Sequence, residues 1–196
     1  LLPDHRGCTL RAALFFCCSR PIFARMIPTI SLRRSSLADL SAVDRLLARS
    51  YPRLLAADYP PSTLVLAVPL ISRARPELLF SGRYFLAEDP SGKVIAAGGW
   101  SRGAPSGSEG VEDTGHVRHV ATDPDVVRQG VGRALMTRVI EDAQGAGMAW
   151  LDCLSTRTAV PFYAALGFRP LHHTDITLAP GIVFPAIRMM ADLRRL

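Results

Sequence analysis

The sequence lacks the features that mark a membrane protein or a nucleic-acid-binding module. It has no apolar run of about 18 residues or more, the length that a membrane-spanning helix requires. No arginine- or lysine-rich run with interleaved aromatic residues marks a nucleic-acid face, and a net charge of +6 is modest for 196 residues. We therefore expect neither a membrane nor a nucleic acid among the partners of this protein.

Cysteine is scarce and unevenly distributed. Three of the four cysteines, Cys8, Cys17 and Cys18, lie in the first 25 residues, and the adjacent pair does not have the spacing of a zinc site. Beyond that segment only Cys153 remains, so the rest of the chain has no disulfide framework. We expect a cytoplasmic protein without a bound metal ion.

The first 25 residues differ from the rest of the chain. Their four arginines against Asp4 contribute +3 of the net charge of +6. The apolar run at 14–16 is short and no small-residue cleavage site follows it, which disfavours a signal peptide. Alternation over 27–33 indicates a first strand directly after Met26. We predict a non-domain extension over 1–25, a natural start at Met26 and one domain over 26–196, for which a hydrophobic content of 48% is ample.

Hydrophobic periodicity and turn residues predict alternating strands and helices in that domain. We expect strands at 28–33, 84–88, 94–100, 115–122 and 148–154, and helical segments at 37–50, 60–78, 130–145 and 158–166. Two closing strands follow the last helix. These elements predict an α/β sandwich with a mixed central sheet of about six to seven strands flanked by about four helices.

The most informative stretch runs from Val120 to Ala134, where a strand ends, a glycine-containing turn follows and a helix begins. Gly130 and Gly132 leave the backbone unshielded, so the N–H groups of the first helical turn and the helix dipole favour a pyrophosphate. The alternative is that the glycines serve only the backbone geometry of the turn and that the turn binds no anion. Neither a P-loop nor a dinucleotide-binding Gly-x-Gly-x-x-Gly pattern is present.

Two motifs in this part of the chain resemble those of one enzyme family. The segment 128–134, Arg-Gln-Gly-Val-Gly-Arg-Ala, resembles the acyl-CoA pyrophosphate loop of the GCN5-related N-acetyltransferase (GNAT) family, whose pattern is Arg/Gln-x-x-Gly-x-Gly/Ala. About 30 residues later, the segment 159–168 resembles the family's fourth-helix signature, Ala-x-x-Phe-Tyr-x-x-Leu-Gly-Phe. The resemblance implies the acyl-CoA N-acyltransferase fold, in which two strands splay apart at the acetyl-CoA site.

The resemblance also implies an activity and a set of cosubstrate-binding residues. The implied reaction transfers an acetyl group from acetyl-CoA to a primary amine of a small molecule or a protein, by direct attack in a ternary complex. Thr156 stands where the family commonly has asparagine, which puts its contact with the CoA arm in doubt. The pantetheine positions are Val120, Ala121 and Thr122, and the pyrophosphate positions are Arg128, Gln129, Gly130, Val131, Gly132, Arg133 and Ala134.

Tyr163 is the candidate general acid for the departing CoA thiolate. A positioned phenol need only share its proton with a thiolate to assist the reaction. Because neighbouring helical positions face different directions, either Phe162 or Tyr163 should point towards the cleft. The alternative is that Tyr163 is a core aromatic residue packed beside Phe162 and Phe168.

His119 is the candidate general base, since the pKa of histidine near 6.5 suits removal of a proton from an amine. Alternation places His116, three residues earlier, on the opposite face of the strand. A structural histidine in a strand is the alternative reading of His119. The loop acids Glu109, Glu112 and Asp113 are further candidates for attracting a cationic amine.

Other possibilities stay open at this stage. A catalytically silent acyl-CoA-binding sensor or regulatory module would keep the pyrophosphate turn while lacking an effective acid and base. His172 and His173 alternate across the last hairpin, which disfavours a shared metal site. The alternating segment 181–192 could offer a free sheet edge for a homodimer.

Overall fold

The computed structural model describes residues 29–104 and 111–196. The extension over 1–25, the start at Met26 and the loop acid Glu109 lie outside the described residues and remain predictions. Among the described residues, no helix is long and apolar enough to span a membrane.

Strands and helices follow the predicted order. The helices are α1 (Leu40–Leu55), α2 (Pro61–Ile71), α3 (Pro76–Leu79), α4 (Val131–Gly145) and α5 (Val160–Ala164). The strands are β1 (Ser31–Arg34), β2 (Tyr84–Glu88), β3 (Val94–Ser101), β4 (Thr114–Thr122), β5 (Trp150–Ser155), β6 (Arg169–Ala179) and β7 (Ile182–Asp192). Short 3-10 turns precede α1, α4 and α5, at Leu37–Asp39, Pro124–Val126 and Arg157–Ala159.

All seven strands form one mixed sheet in the order β1-β2-β3-β4-β5-β7-β6. The β4–β5 pair is parallel, and the other neighbouring pairs are antiparallel. Seven strands with five α-helices confirm the predicted α/β sandwich, with one more helix than expected. The extra helix arises because the predicted segment 60–78 is divided: Pro76 cannot donate an N–H and forces Arg75 into an extended conformation, so α3 begins anew.

Alternation along β2 shows how the sheet separates two cores. Phe85 belongs to the cluster beneath α4 and α5, whereas its neighbours Tyr84 and Leu86 belong to the cluster beneath α1 and α3. A third, smaller cluster joins α2 to β7 through Tyr59, whose ring stacks on Phe184 with the centroids 4.6 Å apart. The sheet is therefore covered on both faces, and strands β2 and β3 are almost entirely buried.

The last strand is not a sheet edge. β7 pairs with β5 along its carboxy-terminal part and with β6 along nearly its full length. Over 187–190 both backbone sides of β7 are occupied by neighbouring strands, so the expectation that segment 181–192 offers a free edge for a dimer is wrong for that part, whereas 182–186 pairs with β6 alone. The edges of this sheet are β1 and β6. The homodimer itself stays a prediction.

Candidate active site

A gap separates β4 from β5 over part of their length. The two strands pair only from Thr114–His116 to Trp150–Asp152. Beyond this register β4 continues to Thr122 alongside β3, and β5 continues to Ser155 alongside β7. The facing sides of Val117–Thr122 and Cys153–Ser155, which we call the β4–β5 gap, are therefore free for an inserted chain, as a peptide would add to a strand edge. Val120, Ala121 and Thr122 lie on the β4 side of this gap.

β4 carries a bulge beside the gap. The register with β3 shifts between Ala97 and Gly99, so two residues, His119 and Val120, lie opposite Gly98. His119 has a φ of 47°, and a Cβ atom at Gly98 would lie 2.8 Å from Cγ2 of Val120. The bulge breaks the regular alternation from which His116 and His119 were expected on opposite faces, so that expectation does not apply to this strand.

The pyrophosphate turn, Arg128–Ala134, lies at the open end of the gap. Gly130 is the N-cap of α4 with a φ of 90°, a left-handed conformation that favours glycine. The first helical hydrogen bond runs from the N–H of Ala134 to the carbonyl oxygen of Gly130, at 2.9 Å. The preceding N–H groups, of Val131, Gly132 and Arg133, have no acceptor within the helix and are available to an anion.

Gly132 has a different role from Gly130. A Cβ atom at Gly132 would lie 3.1 Å from Oγ1 of Thr122 and 3.4 Å from Cε2 of Phe162. Its absence allows the start of α4 to pack closely against the end of β4 and the Phe162 ring. At Gly130, by contrast, a Cβ atom would meet nothing within 4 Å, so the positive φ is the constraint there.

Not every polar residue of the turn is directed at a ligand. Nε2 of Gln129 donates to the carbonyl oxygen of Asp125 at 3.2 Å, which braces the turn internally. Nη2 of Arg133 donates to the carbonyl oxygen of Ala165 at 3.3 Å and joins α4 to the segment after α5. Arg128 is exposed, with a φ of 66°. Arg128 and the remaining N–H donors of exposed Arg133 are both available to an anion.

The turn is anchored through the buried carboxylate of Asp123, which is 1% exposed. Nζ of Lys93 lies 2.7 Å from its Oδ2, and the N–H of Asp125 donates to its Oδ1 at 3.1 Å. Burial opposes ionisation of Asp123, but Lys93, the Asp125 N–H and Arg49 outweigh it and lower its pKa. Arg49 also pairs with Asp125, so α1 holds the turn from the amino-terminal half.

Tyr163 projects into the core next to the β5 side of the gap. Its side chain is 5% exposed, and its ring packs edge-on against Phe162 and Phe168, with centroids 5.2 and 5.4 Å apart. Its hydroxyl group lies beside the thiol of Cys153, and burial, followed by this neighbour, raises its pKa well above the usual value. Tyr163 is therefore protonated at neutral pH and can donate a proton or a hydrogen bond.

A histidine–aspartate pair lies at the closed end of the gap, and the sequence interpretation missed its aspartate. Nδ1 of His116 is 3.1 Å from Oδ2 of Asp152, and Nε of Arg188 donates to Oδ1 at 2.8 Å. Burial alone would raise the pKa of Asp152, but the hydrogen bonds from His116 and Arg188 lower it. Nε2 of His116 is buried and has no hydrogen-bond partner among the described residues. The carboxylate of Asp152 within the otherwise apolar segment 150–154 was the sequence signal that could have identified this aspartate.

His119, the predicted base, lies in a different environment. Burial, followed by the positive charges of Arg75 and Arg118, lowers its pKa to about 4. Its Nδ1 is buried without a hydrogen-bond partner among the described residues, and its carbonyl oxygen accepts from the Tyr84 hydroxyl group at 2.9 Å. His119 is therefore neutral at neutral pH and a weak proton acceptor.

The remaining candidates lie at the periphery. Thr156 follows β5 and is the N-cap of the short turn Arg157–Ala159, where it makes no side-chain capping hydrogen bond. Glu112 and Asp113 are exposed, and the carbonyl oxygen of Asp113 accepts from the N–H of Trp150 at the start of β5. His172 and His173 are exposed on the edge strand β6. Within residues 29–104 and 111–196, no group of three or more potential metal ligands is found.

Comparison with known proteins finds a similar domain model, a similar sequence and similar folds. A model of the acetyltransferase (GNAT) domain matches residues 80–170. The alanine N-acetyltransferase of ribosomal protein bS18 from Escherichia coli K12 is 39% identical over 61 residues, which are 30% of this chain and 41% of that enzyme. The chain thus aligns with less than half the length of that relative.

Solved structures extend the likeness over most of the fold. A GCN5-related N-acetyltransferase from Rhodopseudomonas palustris matches 85% of this chain and 97% of its own, with a TM-score of 0.70 and 18% identity. The PaiA N-acetyltransferase from Thermoplasma acidophilum, in complex with coenzyme A, matches 84% of this chain over 99% of its own length, with a TM-score of 0.61 and 14% identity. The acetyltransferase (GNAT) domain model thus matches the central part of this chain, and solved N-acetyltransferase structures share the fold of most of it.

Proposed function

We propose that this chain is an acetyl-CoA-dependent N-acetyltransferase that acts on a primary amine by direct attack in a ternary complex. One observation carries the proposal: the β4–β5 gap opens onto the pyrophosphate turn and has a protonated tyrosine, Tyr163, beside its β5 wall. Cys153, the partner of Tyr163, is a free thiol, which suits a reaction in the reducing cytoplasm.

The residues at the gap fit acetyl-CoA. The N–H groups of Val131, Gly132 and Arg133 would hold the pyrophosphate, and exposed Arg128 would add positive charge. The backbone of Val120–Thr122 would pair with the pantetheine amides, as an added strand does. Bound in this way, acetyl-CoA supplies an activated acetyl thioester. Holding both reactants in one site replaces a bimolecular encounter with an intramolecular step.

Tyr163 would act as the general acid. Its raised pKa keeps the phenol protonated, so that a hydrogen bond is available to the thiolate that departs after attack. Cys153 places a sulfur atom beside the Tyr163 hydroxyl group, which supports a sulfur neighbour at this position.

For the general base we favour His116, oriented by Asp152, over His119. Asp152 fixes the ring of His116 and stabilises it when it gains a proton, while Nε2 of His116 remains without a competing partner. His119 has a pKa of about 4, which makes it a poor acceptor for a proton from an amine.

The acceptor is a primary amine of a small molecule or a protein. The E. coli relative carries the name of an enzyme that acetylates an alanine of ribosomal protein bS18, which supports a protein amine as one candidate class. The rival function, a catalytically silent acyl-CoA-binding module, shares the gap and the turn and lacks turnover.

Replacing Tyr163 with phenylalanine separates the two functions. We expect release of free CoA thiol, measured with purified protein and a panel of amines, to fall by roughly 10²-fold or more on Tyr163→Phe, since a positioned acid contributes that much. Acetyl-CoA affinity, measured by calorimetry, should change little because the ring is retained. Acetyl-CoA binding without turnover by the unmodified protein on any amine would favour the module instead.

A further inference from the structure

A cavity of about 520 Å³ lies at the carboxy-terminal end of α4, away from the gap. Four arginines and two carboxylates define it, and we call it the arginine cavity: Arg34, Arg83, Arg102, Arg138, Glu141 and Asp142. The 15 residues of α4 separate this end from the pyrophosphate turn by about 20 Å, at 1.5 Å per residue. A ligand in the cavity would therefore be a different molecule from one bound at the turn.

Two aromatic rings hold the guanidinium groups in place. Arg83 and Arg102 lie over the ring of Trp100, at 5.5 and 6.0 Å from its centroid. Arg138 and Arg34 lie over the ring of Phe85, at 5.1 and 5.8 Å. Such a contact orients a planar guanidinium group without using any of its N–H donors. The donors therefore remain available for other partners.

The acidic residues of the cavity leave part of this charge unpaired. Asp142 is fully engaged, because Arg34 donates to its Oδ1 at 2.8 Å and Nε1 of Trp100 to its Oδ2 at 2.9 Å. Oε2 of Glu141 is 3.7 Å from Nη1 of Arg138, which is too far for a hydrogen bond. Four arginines against two carboxylates leave an excess of two positive charges.

Arg83 is the least satisfied of the four arginines. No carboxylate of the described residues forms a salt bridge with it, and its Nε is buried without any hydrogen-bond partner among them. Arg102, by contrast, donates to the carbonyl oxygen of Ala146 at 3.0 Å and so covers the negative end of the helix. Arg83 and Arg138 thus have no hydrogen-bonded carboxylate among the described residues, and an anion beside their guanidinium groups would supply an acceptor.

We propose that the arginine cavity binds the phosphate group of a small molecule. A phosphate monoester carries nearly two negative charges at neutral pH, which matches the excess of two, and its oxygens suit the forked guanidinium group. A volume of about 520 Å³ is within the range of small-molecule pockets. The site is independent of the acetyl transfer proposed above, and each can fail without the other.

Calorimetric titration with inorganic phosphate, in the presence of saturating CoA, tests the proposal. We expect one phosphate per chain, with affinity reduced about tenfold by Arg83→Gln and by Arg138→Gln, as the loss of a charge-assisted hydrogen bond implies. Glu141→Gln should strengthen binding, because it removes an opposing charge. Arg45→Gln, an exposed position on α1, is the control for loss of one positive charge.

Several outcomes would overturn the proposal. Phosphate that no longer binds once CoA is present would belong to the pyrophosphate turn. Equal weakening by Arg45→Gln and Arg83→Gln would reveal only a general charge effect, and unchanged affinity in both cavity variants would exclude the site. Thermal melting verifies folding; if Arg83→Gln unfolds the protein, Arg138→Gln and Glu141→Gln still decide, since their opposite expected signs cannot come from a common loss of stability.

Discussion

The cosubstrate side of the molecule, from β4 to α5, and the amino-terminal half, from β1 to β3, are specified in different ways. The first depends on backbone conformation: a positive φ at Gly130, a bulge at His119 and a gap where two strands stop pairing. The second reaches the site through contacts between residues far apart in the chain. Ser50 of α1, for example, donates to the carbonyl oxygen of Thr122 at 3.0 Å. Local sequence patterns can encode a glycine turn such as that at Gly130, but they do not record contacts between residues far apart in the chain.

The largest expected effect comes from Gly130→Asp, which tests the side of the molecule, from β4 to α5, that depends on backbone conformation. An aspartate at this position would have to adopt a φ of 90° and would place a negative charge where the pyrophosphate is proposed to bind. We expect calorimetric binding of acetyl-CoA to fall by more than about a hundredfold, to beyond detection. Gly130→Asn is the matched control, because it carries a similar backbone strain without the charge and should retain more of the affinity. Undiminished binding by Gly130→Asp would place the cosubstrate elsewhere.

The two histidines of β4, His116 and His119, are expected to contribute differently to catalysis. His116→Gln should lower kcat roughly 10²-fold while leaving acetyl-CoA affinity nearly unchanged, as expected for removal of a positioned base. His119→Gln is the matched control and should change kcat far less. The separate values of kcat and KM, measured for both variants, distinguish a base from a packing residue: only His116→Gln should lower kcat with KM nearly kept. The reverse pattern would restore His119 as the base.

Tyr59→Phe tests the contacts from the amino-terminal half. The Tyr59 hydroxyl group donates to the carbonyl oxygen of Pro185 at 2.9 Å and accepts from the N–H of Arg157 at 2.8 Å. Its loss leaves two partly buried groups unpaired, and we expect the free energy of unfolding to fall by about 1 to 3 kcal/mol in denaturant titrations. Tyr59→Ala, which also removes the ring stacked on Phe184, should cost more. Equal losses would mean that the hydroxyl group contributes nothing.

The last expected effect is absent at neutral pH and concerns stability in acid. His119 has a folded-state pKa of about 4, below its unfolded value near 6.5, so between these values the unfolded chain binds the proton more readily. Stability should therefore decline as pH falls from about 6.5 to about 4, and His119→Gln should flatten that decline in denaturant titrations. An unchanged slope would show that the ring is already protonated in the folded protein.

The sequence predicts the elements well where periodicity and turn residues coincide. The hairpin 84–88 and 94–100, helix 130–145 and the order of all strands agree with the structure to within a few residues. Two features could not be foreseen from local pattern. The bulge at His119 follows from the pairing of β4 with β3, and the pairing of His116 with Asp152 depends on the register of two parallel strands 36 residues apart.

The position of β7 between β5 and β6 has a consequence for folding. The strand that completes the sheet follows all the others in the sequence, so one edge of β5 stays bare until residues 182–192 have been synthesised. Long-range pairing of this kind slows folding, and an open strand edge invites association with other chains in the meantime. Chains truncated before residue 182 should therefore associate with other chains more readily, and the sheet that holds the candidate site should be complete only once β7 has formed.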